Sequence, residues 1–287
     1  MENCINCPRG CPAGKRLCGN ENTARVARVQ LHYAEEPCIS GTNGSGTVFF
    51  AGCNMRCVFC QNYKISTARP ETYPEYGPES LCGLFFELQK KGAHNINLVT
   101  PTPHIKVIRE ALLLARAGGL PVPVIWNTSA YETVQAIRLM EGLADVYLPD
   151  LKYCSAASGL RYSGVSDYWD AASSAVLEMA RQTGEAVFNG SGLIQKGLIV
   201  RHLILPGLRK ESIELLNWIR ENLPDTVYVS LLAQYFPEHR AGDFPEINRR
   251  ITKFEYDSVI GHFWEIGLKN GFQQKRASAV KDYVPEF

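Results

Sequence analysis

Short apolar runs alternate with helical patterns from residue 47 to residue 270, and this alternation restricts the fold more than any other feature of the chain. The runs occupy residues 48–51, 95–100, 122–127, 145–148, 198–205 and 226–233. Between and after them, helical spacing fits 78–92, 105–117, 131–142, 171–184, 211–222 and 255–270. The first helical stretch carries Leu81, Leu84, Phe85 and Leu88 at the i, i+3, i+4, i+7 positions of one face. Continuous apolar strands separated by amphipathic helices predict an α/β fold, with parallel strands covered on their outer side. Six such units are too few for the closed eight-unit barrel. A doubly wound sheet or an incomplete barrel accommodates them. A chain of 287 residues, 45% of them hydrophobic, can bury the core that either needs.

The first apolar run leads into TVFFAGCNMRCVFCQN, which presents Cys53, Cys57 and Cys60 in a C-x3-C-x2-C spacing. Three thiolates on so short a loop can converge on one soft metal centre. Zinc in a closed site takes four ligands, and no fourth follows closely. A [4Fe–4S] cluster held by only three cysteines keeps one iron open to a small molecule, which makes it a site for chemistry. Ordinary buried thiols rarely cluster in this way directly after a strand.

This spacing, with the residues AGCNMRCVFCQN around it, resembles the signature of radical S-adenosylmethionine (SAM) enzymes, in particular the pyruvate formate-lyase activating enzyme-like branch. The resemblance implies a partial (β/α)6 TIM-like barrel over residues 37–287, with a small Cys-rich N-terminal segment over residues 1–36. It implies a [4Fe–4S] cluster on Cys53, Cys57 and Cys60, with the amino and carboxylate groups of SAM chelating the open iron. Reductive cleavage of SAM to a 5′-deoxyadenosyl radical and abstraction of a substrate hydrogen would follow. Such chemistry needs no general base, in keeping with the absence of a Ser/His/Asp arrangement.

Polar residues collect just past the strand ends, where α/β folds build their sites. They include Thr100 and Thr102 after the second run, Asn127 and Ser129 after the third, Asp150 and Lys152 after the fourth, and Arg201 within the fifth. By resemblance these are the SAM-binding residues. Thr100 to Thr102 replace the Gly-Gly-Glu common in relatives. Asp150 and Lys152 match a D-x-K pair beside SAM, whose Asp joins a monovalent cation site. Asn127 stands where relatives often have Asp, which removes a charge from that site. Arg201 matches an arginine near the SAM carboxylate, a suitable planar partner. His202 reads as a strand histidine satisfied by neighbours, and Tyr63, Tyr235 and Phe236 as packing or channel aromatics.

The N-terminal segment has its own pattern, Cys4, Cys7, Cys11 and Cys18, a complete ligand set for zinc or a second iron–sulfur cluster. The interleaved Pro8, Gly10, Pro12, Gly14 and Gly19 suit a tight wrapping loop. The glycine-rich stretch 35–46 reads as a loop and lacks the Lys-Ser/Thr ending of a phosphate cradle. QQKRASAVKD, from residue 273, reads as a solvated tail.

A net charge of +1 supplies no electrostatic case for nucleic acid or a membrane surface. No apolar run approaches membrane-spanning length, and MENCINCPRG lacks a signal peptide's apolar core, so the expected location is the cytoplasm. Ten cysteines in such a chain favour metal ligation over disulfides. By resemblance, the partners are a glycyl radical enzyme or a peptide substrate, with a flavodoxin- or ferredoxin-type electron donor. Two other functions stay open: radical modification of a different peptide or small molecule, and a non-catalytic electron carrier or metal scaffold.

Overall fold

The computed structural model describes residues 3–12, 17–18, 23–67 and 72–280. All six apolar runs are strands: β2 (Ser45–Phe50), β4 (Ile96–Val99), β5 (Val124–Thr128), β6 (Val146–Pro149), β8 (Ile194–Leu203) and β9 (Tyr228–Leu232). They pair in parallel in that order, so each crossover carries the chain over the same face. β1 (Ala24–His32) joins β2 antiparallel and β3 (Glu75–Tyr76) joins β1. Residues 24–32 therefore belong to the main sheet. A short β7 (Val187–Phe188) hairpins onto β8. Two differences from the sequence pattern lie at the C-terminal end. The last helix is α9 (Lys253–Glu265), opened by a Thr252–Glu255 capping box, and it stops well before residue 270. The tail then begins as β10 (Gly271–Gln273), a parallel edge strand beside β9. This strand was missed because three residues show no periodicity.

Alternation along each strand divides the side chains between two faces. Val48, Phe50, Ile96, Leu98, Val124, Trp126, Tyr147, Leu198, Val200, Val229 and Leu231 point outward into the main core. There they meet α3 (Pro78–Lys90), α4 (Ile105–Ala117), α7 (Tyr168–Thr183), α8 (Arg209–Asn222) and α9. The helix expected over 131–142 is only α5 (Val134–Arg138), because Ala130 at φ +63 breaks the chain and Thr133 caps it. Between β6 and α7 lies α6 (Ala156–Ser163).

The other face is concave. Glu35, just beyond β1, bonds Asn97 of β4 at 2.9 Å, Asn127 of β5 at 3.3 Å and Arg201 of β8 at 3.0 Å. β1 and β8 lie five strand spacings apart, roughly 24 Å if the sheet were flat. One carboxylate reaches all three side chains because the sheet curls around it. The edges β3 and β10 do not pair, so the curl is an incomplete barrel. α1 (Pro37–Ser40), inside the stretch read as a loop, plugs its lower end. There Cys38 and Ile39 pack on Ile125, Val146, Leu148, Ile194 and Ile199. No helix among the described residues is long and apolar enough to cross a membrane.

Candidate active site

The parallel strands all deliver their C-terminal ends to the upper rim. The loop after β2 places Cys53, Cys57 and Cys60 there, on the wall of a cavity of about 630 Å³ inside the curl. Each sulfur has a hydrogen-bonding neighbour. Met55 N–H donates to Cys53 Sγ at 3.4 Å, Ser163 Oγ donates to Cys57 Sγ at 3.0 Å, and Ser66 Oγ lies 3.4 Å from Cys60 Sγ. Burial and the nearby Cys57 push the Cys53 thiol up to about 12 and the Cys60 thiol to about 11. Three anionic sulfurs cannot share this space without a cation between them. Among the described residues no three His, Cys, Asp or Glu side chains already stand as a closed metal cage. The fit to an iron–sulfur cluster thus lies in the donor chemistry: three soft ligands on one loop, each with a polar neighbour of the kind that tunes such clusters.

Below and beside the thiols runs a charged belt. Arg201 Nε donates to Asp150 Oδ1 at 2.8 Å, Nη1 to Glu35 at 3.0 Å and Nη2 to Asn127 Oδ1 at 2.6 Å. Lys152 Nζ donates to Asp150 Oδ2 at 2.9 Å. Burial works against the Asp150 charge, but Arg201 and Lys152 together hold its carboxyl below the usual range. Burial likewise opposes the Lys152 ammonium, and Asp150 with Cys57 outweighs it. Tyr168, fully buried, ties two strand ends together. Its hydroxyl lies 3.0 Å from the Ser129 carbonyl, 2.7 Å from the Asp150 carbonyl and 3.0 Å from the Lys152 amide nitrogen.

The structure brings Thr100, Asn127, Ser129, Asp150, Lys152 and Arg201 to the same cavity as the three cysteines. Thr100 sits at φ +59, a left-handed backbone that a β-branched residue rarely adopts. Thr102 is elsewhere. Its hydroxyl donates to the buried Glu132 at 2.8 Å, which also accepts from Trp126 Nε1 and from Thr128 Oγ1, and Thr102 does not line the cavity. Arg201, read as a partner for a SAM carboxylate, already spends its guanidinium on Asp150, Glu35 and Asn127. His202 faces outward and bonds the Leu151 carbonyl at 2.7 Å and Ser212 at 2.8 Å, a satisfied strand histidine.

Sequence patterns missed Glu35, Glu36, Ser230, Gln273 and Gln274, all of which line the cavity with Gln234 of the sixth strand's end. Gln273 and Gln274 lie in the stretch read as a solvated tail; Gln274 Nε2 bonds Gln234 Oε1 at 2.9 Å. Two consecutive acids in a glycine-rich stretch, and glutamines at a chain end, carry no spacing signal.

The N-terminal cysteines lie against the back of the cluster loop. Cys4 N–H donates to the Cys11 carbonyl at 2.9 Å, closing a loop in which Cys4, Cys7 and Cys11 are electrostatic neighbours, and Cys4, Cys7 and Cys18 are buried. Arg9 Nε donates to the Asn54 carbonyl at 2.6 Å, and Arg56 Nη2 to the Leu17 carbonyl at 2.8 Å. The Cys18 carbonyl packs onto Gly52. Gly14 and Gly19 lie outside the described residues.

Fold and site together define the class of this molecule: an open α/β barrel with a three-cysteine loop above an internal charged cavity. No protein-family model matches the chain. The uncharacterized protein MJ0674 of Methanocaldococcus jannaschii is 32% identical over 240 residues, covering 80% of this chain. The match takes in 64% of that relative, so the chain spans less than two-thirds of its length. SuiB of Streptococcus suis, solved with its precursor peptide SuiA, superposes with a TM-score of 0.53 at 13% identity, covering 78% of this chain and 47% of SuiB. SuiB bound to S-adenosylmethionine matches with a TM-score of 0.53 at 12% identity, over 78% and 48% of the two chains. At that identity the likeness is one of fold.

Proposed function

We propose that this protein is a radical SAM enzyme acting on a polypeptide. The observation that carries the proposal is the convergence of Cys53, Cys57 and Cys60 on the rim of a cavity lined by Thr100, Asn127, Ser129, Asp150, Lys152 and Arg201. Cys53, Cys57 and Cys60 would hold a [4Fe–4S] cluster, which when bound supplies the electron for reductive cleavage of SAM. The chain's own part is positioning. Lys152, held by Asp150, places a fixed positive charge beside the thiolates. Tyr168 fixes Ser129 against Asp150, and the apolar plug under α1 shuts the lower end to water. A volume of about 630 Å³ lies within the range of small-molecule sites. Thr102 would act through Glu132, as a positioning residue rather than a SAM contact.

The polypeptide substrate is supported by the open barrel and by the fold shared with SuiB, a protein solved with a precursor peptide bound. Activation of a glycyl radical enzyme is one form of this chemistry, with hydrogen abstraction from a glycine in a partner's loop. A flavodoxin- or ferredoxin-type protein would supply the electron. Cys4, Cys7, Cys11 and Cys18 would hold zinc or a second iron–sulfur cluster.

Anaerobic reconstitution followed by electron paramagnetic resonance of the dithionite-reduced protein, with and without SAM, tests the proposal. The expected result is a [4Fe–4S]⁺ signal that changes on adding SAM and is lost in a Cys53/Cys57/Cys60→Ala triple variant. Iron surviving in that variant assigns a second cluster to the N-terminal cysteines, and stoichiometric zinc assigns a structural site. A well-loaded protein whose signal ignores SAM would sink the proposal.

A further inference from the structure

The five charged residues lining the cavity are unequal in sign: Glu35, Glu36 and Asp150 against Arg201 and Lys152. Four of them are matched. Asp150 takes Arg201 and Lys152, and Glu35 takes Arg201 with two asparagine amides. Glu36 is left over. Its side chain is 7% exposed, and Oε2 has no hydrogen-bond partner among the described residues. The nearest cation is Arg201, whose Nε, Nη1 and Nη2 already serve Asp150, Glu35 and Asn127. Among the described residues, Ser230 is the side-chain hydrogen-bonding neighbour of its carboxyl. His32, also on the wall, is held toward its neutral form by burial and supplies no compensating charge.

We propose that the lower part of the cavity is a subsite for a cationic nitrogen of the substrate, an ammonium or a guanidinium, and that Glu36 is the residue that selects it. A buried carboxylate without a partner is costly, and a cation entering the cavity removes that cost. Without one, burial outweighs the pull of Arg201 and raises the Glu36 carboxyl above its usual range. The walls suit such a guest. Phe49 and Phe272 line the same cavity and put aromatic surface on its wall, of the kind that accommodates a cation. Glu36 precedes α1 at the barrel's lower end, whereas the cysteines stand at the upper rim. The subsite thus receives the far end of a molecule whose reacting part lies under the thiols. This assignment deepens the proposed function by naming a feature of its substrate, and it rests on that proposal for the reaction but not for the binding.

The experiment is a binding titration of the anaerobic protein with n-butylammonium and its neutral match n-butanol. Nα-acetyl-lysine methylamide, with its norleucine counterpart, separates a free amine from a basic side chain of a polypeptide as the source of the cation. In the wild type the cationic member of at least one pair should bind about tenfold tighter, as expected for one charge-assisted contact out of water. Glu36→Gln, which keeps the shape, should abolish the preference. Glu36→Asp, which keeps the charge on a shorter arm, should retain part of it and guards against a folding artefact. SAM is titrated alongside. Equal binding of charged and neutral probes, no binding of either, or a preference surviving Glu36→Gln overturns the inference. So does a loss of SAM affinity in Glu36→Gln equal to the loss for the amines, since Glu36 would then serve SAM. Wild-type protein that prefers cations but binds no SAM would keep the subsite and refute the radical SAM proposal.

Discussion

Replacing Arg201 with methionine tests the cross-barrel tie directly. The side chain is 13% exposed and its partners Glu35 and Asp150 are 11% and 26% exposed, so the substitution leaves two largely buried carboxylates facing each other without their shared cation. Removing one member of a buried ionic set costs about 3–5 kcal/mol, mostly as the penalty of the stranded charge. Lys152 still balances Asp150, so the lower end, ~3 kcal/mol, is expected. At roughly 2 °C per kcal/mol for a chain of this size, the midpoint of thermal unfolding should fall by about 6 °C. Guanidinium unfolding of the anaerobic protein, with the slope checked for constancy, measures the change. The double variant Arg201→Met, Glu35→Met should recover at least ~1.5 kcal/mol of the loss, because the stranded carboxylate goes with its partner. If Arg201→Met costs under ~1 kcal/mol, or the two substitutions simply add, the tie does not hold the curl, and the geometric reasoning behind the belt is wrong.

Gly52 stands at φ +85 with the Cys18 carbonyl oxygen where a Cβ would have to go, so Gly52→Ala should cost on the order of 2–3 kcal/mol. Limited proteolysis should then reveal the N-terminal segment loosened from the cluster loop; an unchanged digestion pattern contradicts that contact. Thr100→Gly relieves a left-handed β-branched residue, and after the entropy that glycine loses it should stabilise by about 1 kcal/mol, read from denaturant midpoints. A loss of stability there would mean that the Thr100 side chain contributes more than its backbone strain removes. Burial holds the His202 imidazole below 6.5, so the unfolded chain binds the extra proton, and stability should fall as pH drops through 6.5 towards the folded value. Comparing wild type with His202→Gln at pH 7.5 and 5.5 isolates this group from Glu36, whose raised carboxyl acts in the opposite sense.

Much of the site was readable in the chain because it depends on local order. The three cysteines form one loop, and a loop after a parallel strand lands on the C-terminal rim whatever the rest of the sheet does. Asp150 and Lys152 are two residues apart at a strand end, so their pairing survives any reasonable tertiary arrangement. Thr102 lies off the cavity wall for the complementary reason. Its hydroxyl is claimed by Glu132, thirty positions away, and no pattern in the chain announces that bond. Gln273 and Gln274 were read as solvated because they follow the last helix in a charged stretch, yet β10 carries them onto the cavity wall.

What the sequence determined by itself is therefore periodic or contiguous: the α/β class, the six parallel strands, the helix faces and the three-thiol loop. Their causes act over one or two turns of chain, through the two-residue and 3.6-residue repeats of apolar side chains. Only the tertiary structure decided that the sheet curls without closing and that Glu35 meets Arg201 across five strand spacings. It alone left Glu36 buried without a cation of its own. Those outcomes are set by curvature and by charges brought together from distant segments, and a charge balance exists only once the chain has enclosed a space in which to count it.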